Sequence, residues 1–466
     1  VKQLIMKPGK HRYNLLKTLL LLPALLIAVA GYCQEKDFRY YDSVTYRYYT
    51  DKDWKSLIAA GNEALQKGFS YNYLDVRLAI ANYEMRNYRK AAPLFEKALR
   101  DFSTDPFTAE YLYYAYLESG RGKDAAMLAG NYKNKFVMIP GTNNKLLNMA
   151  YAEGGYLPDG SPNLSTAALI GADSIYGEAD VFGSQSYLHF GIQLQPTPSM
   201  QLYLSAGTLG ISKQQRFAYS LYDAEFARRI ITDTTFNYNF RQNEFYTSLS
   251  VTPVAGFTLT PAFHYMGGRP SPVSCTFSDL MYRFGNGSYS YNHYVVSVGL
   301  TGEAGNFSLG MGGSYAKLTT TGNQLQVNGT ISWFPFGNLD LYTTTTLTGF
   351  KDGADRRLIF DEAAGGKLAS RFWIEGMITL GDLSFYNEKN AFIVYNLPER
   401  IVFRSGANLV YTLNSHLDIS MMYRFYKREY DFTTYSYDAV NSLYVPQIST
   451  THYNNHGIYG GLKWKF

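Results

Sequence analysis

The chain has 466 residues, 43 of them tyrosine and only two cysteine, with a formal net charge of +5. All of that excess sits in residues 1–33, where Lys2, Lys7, Lys10, Arg12 and Lys17 stand without an acid, so nucleic-acid binding has no electrostatic support. With Cys33 in this leader, Cys275 stands alone in the body, which argues against a disulfide framework, and zinc-ligand spacing is absent.

The basic head is followed by "TLLLLPALLIAVA" and then "GYCQEK", which together read as a secretory signal peptide over 1–33, cleaved after Ala30 or Cys33. The apolar run is shorter than the ~20 residues a spanning helix needs. Residues 34–50 read as a linker. From 51 to 136 the chain reads as helices punctuated by Gly, Asn and Asp-Pro. The order Leu78, Ala79, Ala91, Phe95, Ala98, repeated in part by Leu112, Tyr116 and Ala125, resembles the tetratricopeptide (TPR) pattern. Asn82 stands at a usual tyrosine position, and the expected proline arrives late, as Pro106. About two and a half repeats are visible, whereas such stacks need three or more. The module is therefore expected to lean on the rest of the chain or on a partner. Tyr111, Tyr113, Tyr114 and Tyr116 are the expected lining of an aromatic docking groove.

After residue 140 the composition turns to Tyr, Thr, Ser, Gly and Phe with period-two alternation. "NQLQVNGTISWF" is the cleanest case, with Leu325, Val327, Ile331 and Trp333 opposed to Gln324, Gln326, Asn328, Thr330 and Ser332. About fourteen strands are predicted: 145–157, 184–195, 200–212, 236–252, 257–267, 289–301 and 307–318 come first. The rest are 323–334, 339–350, 367–380, 383–396, 401–413, 417–430 and 455–466. Each is close to the ~9–11 residues that cross a bilayer when tilted. Tight turns such as Pro253–Gly256, Gly302–Asn306 and Gly381–Asp382 alternate with long polar stretches at 213–235, 268–288, 351–366 and 431–454. That alternation is what a transmembrane β-barrel over 137–466 shows. An even strand count puts both barrel ends, and the helices, on the periplasmic side. By parity His189, His264, His293, Glu375, Arg404 and Arg424 point into the lumen with Gln324, Gln326 and Asn328.

The chain closes on "GIYGGLKWKF", with Ile458, Leu462, Trp464 and Phe466 on one parity. This resembles the C-terminal targeting strand of Gram-negative outer-membrane barrels, which implies that the assembly machinery reads Trp464 and Phe466. The whole resembles outer-membrane β-barrel proteins with an N-terminal periplasmic TPR-like region, such as the YaiO group or accessory barrels of envelope assemblies. The implied role is a non-enzymatic subunit that meets outer-membrane lipid and docks another envelope protein. The alternative is a diffusion channel or uptake pore. A barrel-rim lipid-modifying enzyme is the weaker third reading. His452 and His456 are four apart, a spacing that suits metal ligands on a helix better than on a strand. Ser415, His416 and Asp418 are adjacent in sequence within a predicted turn, which is not triad geometry. No catalytic residue, metal or cofactor is therefore expected.

Overall fold

The computed structural model describes residues 36–132, 145–160, 165–171, 174–223, 228–278, 281–318, 322–396, 399–438, 440 and 443–466. The expected signal peptide and the first residues of the expected barrel domain, 137–144, lie outside them. The chain forms two compact units, one ending at Ala81 and one running from Asn82 to Phe466.

The first unit holds α1 (Phe38–Thr50), α2 (Trp54–Gln66) and most of α3 (Asn72–Glu84). The expected linker at 34–50 is corrected, since from Phe38 onward it is helix. Asp37 caps α1 by accepting the Tyr40 N–H at 2.9 Å. Tyr41 and Thr45, one turn apart, are fully buried. Tyrosine and threonine are weak helix formers, so "FRYYDSVTYRYYT" gives little local helical signal. Tertiary contact decides it: Arg77 donates to Asp42 Oδ1 at 2.8 Å and to Thr45 Oγ1 at 3.0 Å. Gly61 lets α2 approach Leu78, which a Cβ there would meet at 2.5 Å.

The second unit begins with the end of α3, then α4 (Tyr88–Asp101), α5 (Pro106–Glu118) and α6 (Gly122–Asn131). Asn87 and Asp105 cap α4 and α5, and Pro106 takes the first position of α5, where its missing N–H costs nothing. Ala91, Ala92, Phe95, Ala98 and Leu99 form the buried stripe of α4.

The strands follow. β1 (Leu147–Leu157), β2 (Ser174–Thr197), β3 (Met200–Asp223), β4 (Arg228–Val254) and β5 (Phe257–Gly268) come first, with a single helical turn, α7 (Thr166–Leu169), before β2. A separate hairpin, β6 (Val273–Ser278) with β7 (Met281–Asn286), comes next. Then come β8 (Tyr291–Ala304), β9 (Phe307–Lys317), β10 (Gln324–Trp333), β11 (Leu341–Asp352), β12 (Asp355–Ala369) and β13 (Phe372–Leu380). A two-residue ladder, β14 (Asn387–Glu388) with β15 (Ile393–Val394), precedes β16 (Arg400–Thr412), β17 (Leu417–Asp438) and β18 (Leu443–Lys465). Fourteen of these, all but β6, β7, β14 and β15, form a closed antiparallel barrel. β1 closes it on β18, from Met149↔Lys465 to Tyr156↔Ile458. The closed order leaves no strand of the wall with an unpartnered neighbour position, as a bilayer demands.

The outer face is apolar. Phe190, Val296, Val298, Val327, Ile331, Ile378, Met421 and Leu462 are all exposed there. Ile458, Trp464 and Phe466 share that face, so the closing strand alternates as its sequence implies.

One strand assignment, one turn and three loop assignments are corrected. Residues 383–396 are not a wall strand, and Gly381–Asp382 is not a tight turn at the end where the neighbouring short connections lie. The expected loop 351–366 instead contains β12, joined to β11 by a two-residue turn at Gly353, whose φ is +57°. The expected loops 213–235 and 431–454 are mostly strand, because β3, β4, β17 and β18 continue far past bilayer length. β4 has 27 residues. Thr, Tyr and Phe keep a pleated surface going even where the stretch is polar. Above the end of β16, the freed edge of β17 pairs with β2, Thr433↔Glu178 to Ser436↔Ser174, a pairing that bypasses β18 and β1.

α4–α6 dock on the short-turn end of the barrel. Arg89 is 4% exposed; it donates to Glu303 Oε2 at 2.6 Å and to Ser119 O at 3.1 Å, and lies 3.6 Å above the Phe334 ring. Its N–H donates to Gly337 O at 3.0 Å. The Gly256 N–H donates to Asp124 Oδ1 at 3.0 Å, and Arg86 pairs with Asp340 at 2.9 Å.

Candidate functional site

A wall of fourteen strands encloses more space than its own side chains can fill. Here part of that space holds residues 381–396, the segment read from sequence as a strand. The chain leaves β13 at Leu380, turns at Gly381 (φ +124°) and enters the lumen. Asp382 caps the bend by accepting the Ser384 N–H at 2.9 Å, and Arg357 donates to the Asp382 and Ser384 carbonyls at 3.1 Å each. The β14–β15 ladder then reverses the chain through Lys389, Asn390 and Ala391, with φ of 53°, 54° and 63°. Three successive non-glycine residues in the left-handed region carry strain of about 1–2 kcal/mol each. Such a turn persists because its surroundings hold it.

The holding contacts come from several walls. His264 on β5 donates from Nδ1 to Ala391 O at 2.7 Å, and Tyr246 on β4 donates to Asn390 O at 3.3 Å. Phe392 sits among His189, Tyr203 and Tyr246, with ring centroids 5.1–5.8 Å away. Asn387 donates to Ser314 Oγ on β9 at 3.0 Å. The Gln326 amide, assigned from its neighbours, donates to Asn387 O at 2.9 Å. Leu383 and Tyr386 pack with Leu157, Phe182, Ile211, Phe240, Ile359 and Ile401.

The strongest anchor is Arg404 on β16, which is 1% exposed. Both Nη atoms donate to Glu388, at 2.8 Å each, making a bidentate pair. Nη2 also reaches Asp361 Oδ2 at 3.1 Å, Nε donates to Thr379 at 3.0 Å, and Tyr395 accepts from Nη1. Beside this plug remains a cavity of about 250 Å³, bounded by Tyr187, Phe392, Tyr395, Arg424, Arg428 and Tyr459. Above it, Lys213 pairs with Asp180 and Glu399 at 3.2 Å each, and Tyr430 bonds the Asp180 N–H. Leu169, Val181, Ala218 and Phe432 pack there as a second apolar cluster.

The nine residues expected in the lumen are buried or half-buried, on the strand face opposite the exposed apolar one. His189 bonds the Tyr151 hydroxyl at 2.7 Å, and His293 lies 4.3 Å from the Tyr291 ring. Gln324 donates to Asp352 at 2.9 Å, Glu375 accepts from Tyr342 at 2.6 Å, and Asn328 faces Gly312. Arg404, His264 and Gln326 are brought together by the plug; Arg424 lines the cavity. Glu388 and Tyr395, the plug's own polar groups, were not among the expected site residues. "NEKN" at 387–390, polar at both parities within an otherwise alternating stretch, is the signal that could have exposed them.

The expected docking tyrosines separate. Tyr116 is corrected: it is 2% exposed, donates to Glu96 at 2.8 Å and lies under Arg121. Burial, with Glu96 beside it, holds its phenol well above the ordinary range. Tyr111 packs among Tyr83, Phe95 and Phe107. Tyr113 and Tyr114 are half-buried and stack edge-on at 5.3 Å, and Tyr113 shares a recess with Phe466. His416 donates to Lys465 O at 2.8 Å and Asp418 accepts from Thr412 at 3.0 Å, so Ser415, His416 and Asp418 form no triad. His452 faces Glu429 at 3.6 Å and His456 bonds the Tyr423 hydroxyl at 2.7 Å. Among the described residues no cluster of three metal-ligating side chains occurs.

No protein-family profile matches the chain, and no curated protein matches it in sequence. Among solved structures, it is similar to the toluene transporter TodX of P. putida, with 8% identity, TM-score 0.40, and 74% of this chain and 94% of that one covered. The translocator domain of the autotransporter NalP from Neisseria meningitidis gives 9%, 0.29, 76% and 100%. A Pseudomonas aeruginosa FadL homologue gives 9%, 0.32, 68% and 89%. Likenesses this distant say nothing of activity.

Proposed function

We propose that this protein is a gated outer-membrane channel for a small solute, closed in the conformation described, with residues 381–396 as the gate. The observation that carries the reading is the plug itself. It is tethered at both ends to neighbouring wall strands, has a strained tip, and is held across the lumen by a buried ion pair, hydrogen bonds and the packing of Leu383, Tyr386 and Phe392. A barrel that served only as an anchor gains nothing from a strained, polar tether inside it. The apolar outer belt and closed ladder support membrane insertion. On this reading Trp464 and Phe466 belong to a targeting strand, and α4–α6 lie at the periplasmic, short-turn end. No catalytic group takes part.

Planar-bilayer recording tests this. Wild type should conduct rarely, and a variant with residues 383–396 replaced by a short Gly-Ser linker should conduct steadily. A linker variant that inserts, shows the heat-dependent gel shift of a folded barrel and still does not conduct would overturn the reading.

A docking scaffold is the second reading, favoured by α4–α6 being fixed to the barrel through the buried Arg89–Glu303 pair. A module locked to the turns can hold a partner, another envelope protein, in a set orientation; half-exposed Tyr113 and Tyr114 then remain as contacts. Co-purification of a stoichiometric partner that is lost when α4–α6 are deleted would favour it.

A further inference from the structure

From the cavity beside the plug we infer a binding site for a small anion with an aromatic or apolar body, its charge held by Arg424 and Arg428. This deepens the channel reading by naming a solute class. Both arginines project from β17 into the cavity and are 8% and 4% exposed. Neither forms an ion pair with a carboxylate among the described residues. Arg424 donates only to Tyr423 O, at 3.3 Å, a carbonyl of its own strand. The Arg428 guanidinium has no carboxylate partner, its Nε is buried and unsatisfied, and the Tyr453 hydroxyl is the polar group beside it. Its guanidinium is held flat by two rings, Phe182 at 4.4 Å and Tyr426 at 5.5 Å. A buried guanidinium without a counter-charge is costly. The other buried cations of this lumen, Arg404 and Lys213, each have two carboxylates.

The acids on the same cavity explain why the free capacity is for an anion. Glu388 is committed to Arg404, Glu399 binds Lys213 through Oε1 with its Oε2 buried and unpartnered, and Glu244 accepts from Gln242 and faces His264. Glu153 faces Lys389 and Arg424 only at longer range, and Glu388 also feels Arg424 from a distance. One extra negative charge fits two open guanidiniums; a second would meet Glu153. The rest of the lining is ring and aliphatic: Tyr187, Phe392, Tyr395, Ile401, Met422 and Tyr459. A cavity of about 250 Å³ lies just under the usual range for ligand pockets, roughly 300–1,000 Å³, so the body is small.

Calorimetric titration of the full-length protein in detergent, corrected with empty micelles, tests this with three probes of one shape: phenylacetate, 2-phenylethanol and 2-phenylethylamine. Phenylacetate should bind saturably at one site and at least about tenfold tighter than either other probe. Arg428→Gln and Arg424→Gln should each weaken phenylacetate by about tenfold, while an exposed control, Arg356→Gln, changes nothing. Equal binding of the three probes, tighter binding of the amine, or no effect of the arginine variants would overturn the inference. Should a variant not fold, the wild-type ranking still decides. Because the closed protein is titrated, failure here leaves the gate intact, whereas a non-conducting linker variant overturns the gate and leaves the wild-type titration to decide the site.

Discussion

Glu388→Ala should open the gate. Glu388 is the plug's sole carboxylate on Arg404, bidentate at 2.8 Å, and Arg404 is among the most deeply buried large side chains. Removing one partner of such a pair costs about 3–5 kcal/mol, because the other charge stays buried. Asp361 and Thr379 still hold the guanidinium, so the lower end applies, about 3 kcal/mol. That loss falls on the closed state alone if the plug leaves the wall on opening, and shifts its equilibrium by roughly 150-fold. Single-channel open probability in planar bilayers reads the shift. Arg404→Ala should act in the same direction, and the double variant should open less than the sum of the two, since no charge is then stranded. Additive effects, or a Glu388→Ala channel as silent as wild type while still folded, would refute the assignment of this pair as the latch.

Lys389→Gly should do the reverse. Glycine accepts the left-handed φ of 53° without the ~1–2 kcal/mol penalty, so the closed plug gains about 1 kcal/mol and open probability falls about fivefold. Arg89→Ala should loosen α4–α6 from the barrel by about 3–5 kcal/mol, by stranding Glu303 and emptying the place over Phe334; limited proteolysis should cut the helices earlier, with the heat-dependent gel shift unchanged. Orientation is read by labelling. In a Cys275→Ser background, Met281→Cys in the exposed β6–β7 hairpin should react with an impermeant maleimide on intact cells, whereas Lys97→Cys should react only after the outer membrane is permeabilised.

The barrel was legible because a lipid-facing sheet must write its pleat into the sequence. Leu325, Val327, Ile331 and Trp333 declare a face whatever their neighbours do. Inward residues are expected by parity, because the pleat alone sets which face a side chain takes. What each inward group touches was not legible, since Gln326 and His264 find their partners on a segment over sixty residues away in sequence. The helical region shows the opposite limit. α1 is poor in strong helix formers and is set by contacts such as Arg77 with Asp42, while Tyr116 looked like a docking residue but is spent on Glu96 and Arg121. Residue type says that an aromatic will be half-apolar; it does not say which side will cover it.

The strand count came out at fourteen although one strand was missed and one was supplied in error, and the reason is physical. Parity constrains only where the two ends of the wall lie. Losing β12 and adding 383–396 changes neither end, so the even count could not detect the exchange. The local chemistry could. Asp352-Gly353 between alternating flanks is a strong hairpin signal, and it sits where a long loop was expected. "NEKN" at 387–390 would place polar groups on the lipid face of a wall strand, at a cost of up to ~2–4 kcal/mol for a lysine at mid-bilayer. The same four residues inside the lumen cost nothing of the kind and supply Asn387 and Glu388 as anchors. A stretch that alternates like a barrel strand, but carries charge at both parities, belongs inside the wall.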